Sequence, residues 1–304
     1  MPLEQTITAP FAYDHFGVVQ VLRRFLEQQL PPEAWSWLQE KAAALNQPAG
    51  NSLAVGFAAM PRKVGKALVQ IPAPMETELL ALRNGFVLHQ WTMDRLCRVW
   101  LLLQVDATNK DQYVRRIEAL FPAAEMNELV ALYSALSLLA YPEAWRSRCA
   151  EGIRSNIGPV LEAIICHNPF PAEQLPEGAW NQLVLKAFFT EKRIDQIIGL
   201  DERANEPLAN MLIDFSRERR AAGRPVPPLL WRCVAPFINE ENLGDVEGAF
   251  YSTVAEERDA AALALAQTNH PQAKQLLQKN KDASAAIAAG ALSWELLAAR
   301  LAAG

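Results

Sequence analysis

Polar residues of fixed character sit inside or beside apolar helical faces between positions 151 and 237: Arg154, Asn156, Asn168, Asn181, Lys186, Arg203, Asn205, Arg224 and Arg232. An amide or a charge in such a place is costly unless it is paired. Two chemistries would offset that cost. One is a structural network in which each group satisfies a neighbour across a helix boundary. The other is a small-molecule pocket with apolar walls and a few placed polar groups, lined by Asn156, Glu162, Asn168, Trp180, Asn181 and Lys186. The widest binding set adds Arg154, Arg203, Asn205 and Arg224. For Asn181 and Lys186 the acceptors at hand are Glu162, Asp195, Asp201 and the carbonyls freed at the Gly158-Pro159 break.

Other chemistries find little support. His15, His89, His167 and His270 form no HExxH or HxxxH arrangement, so no metal site is expected. There is no GxSxG elbow, no GxGxxG and no GxxxxGK[ST] loop. His167 follows Cys166, but neighbours on a helix point about 100° apart, which does not make a nucleophile and base pair. Cys97, Cys149, Cys166 and Cys233 lack CxxC pairing and read as core thiols. No catalytic residue and no cofactor is expected, and no reaction is assigned.

The basic residues gather at Arg62, Lys63 and Lys66 and again at Arg217, Arg219, Arg220 and Arg224. Both groups read as solvated helix faces, the second complementing a helix C-terminus. A net charge of -5 argues against a nucleic-acid partner.

The elements that must position these groups are helices. The chain is 51% hydrophobic, with Ala and Leu recurring and β-branched runs scarce. Phe16, Val19, Val21, Leu22, Phe25 and Leu26 give a stripe that ends at Pro31-Pro32. Leu53 to Met60 is expected to stop at Pro61, and Glu76–His89 and Thr92–Gln104 read as the next helices. In the latter Asp94 and Arg98, with Arg95 neighbour to both, read as an i,i+4 ion pair of a few tenths of a kcal/mol, about 0.3. Asp111–Phe121 and Ala124–Leu139 read as a tight antiparallel hairpin. Trp145, Cys149, Ile153 and Ile157 recur at every fourth position, and Asn168 reads as the left-handed residue ending the helix before it. Trp231-Arg232 reads as a stacked pair within one helix. Glu256–Gln267 followed by a Pro-initiated helix looks like one unit of the HEAT class, and 283–303 like capping helices.

The fold class that follows is all-α, an α-solenoid of HEAT-like stacked helical hairpins without an exact period. It reads as one repeat-like domain over 1–304, with N-terminal helices in 1–90, a core in 91–237 and C-terminal repeats in 238–304. The N-terminus shows no signal peptide and no segment is long and apolar enough to span a membrane.

The runs RSNIGPVLEAIICHNPFPAEQL, AWNQLVLKAFF, IIGLDERAN and ERRAAGRPVPPLLWRCVAPF closely resemble the core of the EboA family of bacterial metabolite-traffic proteins. The resemblance runs from the Trp91 helix through Phe237. Ser155 and Phe170 depart from the Thr and Tyr of the family pattern. The resemblance implies a non-enzymatic helical adaptor in the traffic or export of a secondary-metabolite precursor. It implies partners among the proteins of the same gene cluster, a membrane prenyltransferase-like protein included, and a cytoplasmic location or a peripheral one at the inner membrane. A small-molecule metabolite is a further partner. The alternative is a binding protein or enzyme with a polar pocket in the central helices.

Overall fold

The computed structural model describes residues 10–47 and 52–303. The readings made on the first nine residues and on the loop at 48–51 lie outside the described residues. Among the described residues the regular structure is 18 α-helices and five short 3₁₀ turns, with one isolated bridge between Leu68 and Thr92. The all-α expectation is met. The chain divides into two compact units, Met1–Pro176 and Glu177–Gly304.

The first unit holds α1 (His15–Gln29), α2 (Pro32–Ala44), α3 (Ser52–Val64), α4 (Ala73–Leu82), α5 (Met93–Leu102), α6 (Lys110–Glu118), α7 (Met126–Ala135), α8 (Arg146–Arg154), α9 (Gly158–Ile165) and α10 (Phe170–Gln174). Its helices start where the chain supplies a cap. Asp14 accepts from the amide of Gly17, Asn109 from that of Gln112, and Glu125 and Glu128 form a capping box on α7. Packing runs through alternate helices, α3 on α5, α5 on α7 and α7 on α9. Helix α5 is therefore buried on nearly every side, from Met93 to Leu102 with Arg95 alone half-exposed.

Several boundaries differ from the sequence reading. Pro61 does not stop α3 but lies inside it. A proline there lacks the N–H that would bond the carbonyl four residues back. That carbonyl, of Phe57, instead accepts from Arg98 Nε at 3.0 Å, so the helix continues. The predicted helix 76–89 is displaced to α4, and α7 packs chiefly on α5 and α9 rather than pairing with α6. Phe16 is 73% exposed and Ile157 stands outside α8, so neither belongs to the apolar stripe assigned to it.

The second unit holds α11 (Glu177–Phe189), α12 (Glu206–Ala221), α13 (Leu230–Val234), α14 (Leu243–Phe250), α15 (Ala255–Gln267), α16 (Pro271–Gln278), α17 (Lys281–Ala288) and α18 (Trp294–Ala303). Helix α15 is its hub and touches α13, α14, α16, α17 and α18. Small side chains make that possible: Ala260, Ala261, Ala262 and Ala264 are all buried. The helix pair expected at 256–278 is present as α15 and α16, with Pro271 in the first turn.

Candidate functional site

The candidate polar residues fall into two sets, one in each unit. In the first, Asn168 is 5% exposed and fully used. Its Nδ2 donates to the carbonyls of Tyr133 and Ala163, and its Oδ1 accepts from the amide of Phe170. The residue in the left-handed region is His167, with φ 51°, rather than Asn168. Asn168 ties α7 to the end of α9, which is a structural task. Arg154 lines a cleft of about 370 Å³ with Phe121, Tyr133, Arg148, Glu151 and Val160. There Arg148 pairs with Glu118 at 2.5 Å and stacks on Phe121. Asn156 and Glu162 are exposed.

In the second unit Asn181 and Asn205 bond each other through both amides, at 3.0 and 2.8 Å. Asn205 Oδ1 also caps α12 by accepting from Leu208 N. Asn181 thus finds an amide on the facing helix instead of the carboxylates expected from sequence. Those carboxylates have other cations: Asp195 is held by Arg193 and Asp201 by Arg232, each through two hydrogen bonds. Arg203 lies over the ring of Trp180 at 4.9 Å, and burial pulls its guanidinium below the usual range. Lys186 is half-buried on α11, and Arg224 is exposed just after Gly223, whose φ is 66°.

The basic residues of α12 are engaged too. Arg217 pairs with Asp245 at 2.8 Å, and Arg220 reaches Glu257 at 3.1 Å while stacking on Trp231. The cation over Trp231 is therefore Arg220. Arg232 turns instead to Asp201, and the hydrogen bonds to that carboxylate raise its pKa.

An open cleft of about 350 Å³ lies in this unit. Phe188, Val226, Leu229, Ala298 and Leu301 form its apolar wall, and Lys192, Arg193, Asp195 and Arg219 its charged rim. Of the predicted pocket residues none lines it, although Ala187 and Phe188 follow Lys186 directly on α11.

Sequence reasoning missed a group of charges in the first unit. Asp94 and Arg98 form the i,i+4 ion pair expected, at 2.6 Å, but with both side chains only 3% exposed. Arg83 is buried, takes Glu173 through both terminal nitrogens at 2.7 and 2.6 Å and donates from Nε to Ser137 O. Arg95 donates from Nε to Ser134 Oγ at 2.8 Å and lies over Trp91 at 4.3 Å. The sequence held no local signal for this: Asp94, Arg95 and Arg98 share one face of α5 and read as its wet side, and only the packing of α3 and α7 on α5 buries the pair.

Cys97, Cys149 and Cys233 are buried, and burial pushes Cys149 and Cys233 up to about 12. Cys166 is half-buried. Among the described residues no three of His, Cys, Asp and Glu come together as metal ligands, and no helix is long and apolar enough to cross a membrane.

Comparison with known proteins gives one match. A family model described as metabolite traffic protein EboA matches residues 18–235. No curated protein and no solved structure matches.

Proposed function

We propose, because this chain belongs to the EboA family of metabolite traffic proteins, that it acts as a non-enzymatic helical adaptor. Its partners are other proteins of the same gene cluster, a membrane prenyltransferase-like protein among them, and its task is the traffic or export of a secondary-metabolite precursor. Residues 91–237 form the working core, flanked by helices in 1–90 and repeats in 238–304. The α-solenoid or HEAT-like arrangement draws support from the alternate-helix stacking of α3, α5, α7 and α9. The location proposed is cytoplasmic, peripheral at the inner membrane when the partner is there.

The observation that carries this reading is how the central polar residues are employed. Asn168, Asn181, Asn205 and Arg232 bond neighbouring elements inside their own unit, while large apolar side chains stay on the surface. Phe189 is 58% exposed and Leu296 47%. Exposed aromatic and aliphatic groups of this size suit a protein partner. The test is co-purification with the neighbouring cluster proteins. A partner should be retained by the native chain and lost with Phe189→Asp or Leu296→Asp, with the circular dichroism unchanged.

A second reading, a small-molecule carrier, is favoured by the cleft beside Phe188 and Leu301. Its volume lies at the lower end of ligand pockets, and its apolar wall with a charged rim suits an amphipathic metabolite. Binding there would raise the melting temperature, and Leu301→Asp would abolish the rise.

A further inference from the structure

Three arginines enter the apolar interior of the first unit, and only two of them meet a carboxylate. Arg83 has Glu173 and Arg98 has Asp94. Arg95 has none. The adjacent Asp94 is fully engaged, since its Oδ1 accepts from Thr92 and its Oδ2 from Arg98. The single hydrogen bond of Arg95 runs from Nε to Ser134 Oγ, and that hydroxyl donates onward to Val130 O. Among the described residues neither terminal nitrogen of Arg95 has an acceptor, yet neither is sealed from solvent.

Long cations often bury their stem and leave the head in water. Arg95 does so only in part, because it is half-exposed and its terminal nitrogens still reach solvent. Its head lies on the face of Trp91, and burial is the main influence on its charge, pulling the guanidinium well below the ordinary arginine range. An arginine does not shed its proton to relieve such a cost, so the site holds a positive charge that Asp94 offsets only from a distance, with no carboxylate bonded to it.

The surroundings are built with unusual backbone. Gln90, next to Trp91, has φ 55°, and His167, next to Cys166, has φ 51°. Neither is glycine, and such positions cluster at functional sites. The two strained segments meet, because the rings of His89 and His167 lie 5.1 Å apart. Cys166 is close enough to Arg95 to influence its charge. Helix α5 thus brings Arg95, α7 brings Ser134 and the end of α9 brings Cys166, three successive members of one stack.

We propose that Arg95 anchors an oxyanion site, in which its two free terminal nitrogens grip two oxygens of a carboxylate or phosphate carried by a small molecule. Nε is fixed by Ser134 and one face by Trp91, so the guanidinium is held in place before the ligand arrives. The remaining fork matches two oxygens in one plane. The adaptor reading is not needed for this proposal, and partner retention is a separate readout.

The experiment measures the melting temperature of the full chain with inorganic phosphate, acetate or benzoate, each against chloride at matched ionic strength. At least one of these anions should raise it, by about 5 °C at a hundred times its Kd. A response to phosphate alone assigns a phosphate ligand, and a response to acetate or benzoate a carboxylate. Arg95→Met should abolish the rise while leaving the anion-free melting temperature within about 2 °C, since the thioether keeps the packing on Trp91 and the charge removed has no bonded carboxylate. Arg95→Lys, which keeps the charge but loses the fork, should retain less than half of the rise. The proposal is overturned if no anion outperforms chloride, or if Arg95→Met melts several degrees lower without anion, which would make the guanidinium a structural group.

Discussion

Asn181 and Asn205 face each other with donor to acceptor in both directions, and Asn205 caps α12 as well. Removing Asn181 leaves Asn205 its bonds to Leu208 N and Arg203 O but breaks both bonds between α11 and the start of α12. Asn181→Ala should therefore cost about 1 kcal/mol in urea unfolding, a loss that ligand addition does not restore if the pair is structural. The same logic is sharper at Asp94. Asp94→Ala strands Arg98 in the interior and should cost about 3–5 kcal/mol, whereas replacing both partners by apolar residues should cost much less. That Asn181 would be paired was legible in the sequence, because a polar group beside Trp180, Val184 and Phe188 has to be, whereas Asn168 read as a left-handed helix end and is instead a hydrogen-bonded tie. Their partners were not legible. Asn205 lies 24 residues from Asn181, and the nearer carboxylates Asp195 and Asp201 are taken by arginines.

Helix boundaries show the same division between local and distant causes. Starts marked by Pro32 and Pro271 are where the sequence places them, since the residue itself determines the first turn. Pro61 reads locally as a stop, and only the arrival of Arg98 from 37 residues away makes continuation possible. The two residues should be energetically coupled. In a double-mutant cycle Pro61→Ala restores an N–H for the Phe57 carbonyl, so it should reduce the cost of Arg98→Met by about 1 kcal/mol; strict additivity would contradict that link. Close approach between helices is equally specific. A Cβ on Gly152 would lie 2.5 Å from both Tyr133 and Ile164, so Gly152→Ala should destabilise by about 1–3 kcal/mol despite the better helix propensity of alanine.

Across the molecule, buried neutral acids set the response to alkali. Burial raises Cys97, Cys149 and Cys233 above the usual thiol range, the latter two to about 12, and Tyr133 likewise to about 12. Each group holds its proton more tightly folded than unfolded. Their contribution is complete below about pH 9 and is lost as pH rises through the folded values, because the unfolded chain ionises first. Urea midpoints should fall steadily from pH 9 to 11 and stay level between 7 and 8.5. The all-helical class was readable from composition and Pro-marked periodicity. The two-unit division was not, since helical periodicity runs on either side of Pro176 without a change that marks a boundary. The adaptor reading rests on apolar surface left free while the interior polar groups serve the fold. Its most direct test is co-expression with the neighbouring cluster proteins followed by affinity capture of this chain. The account predicts that a cluster protein is retained by the native chain and released by Phe189→Asp or Leu296→Asp. Capture of none of them by native protein, under gentle detergent and low salt, would contradict it.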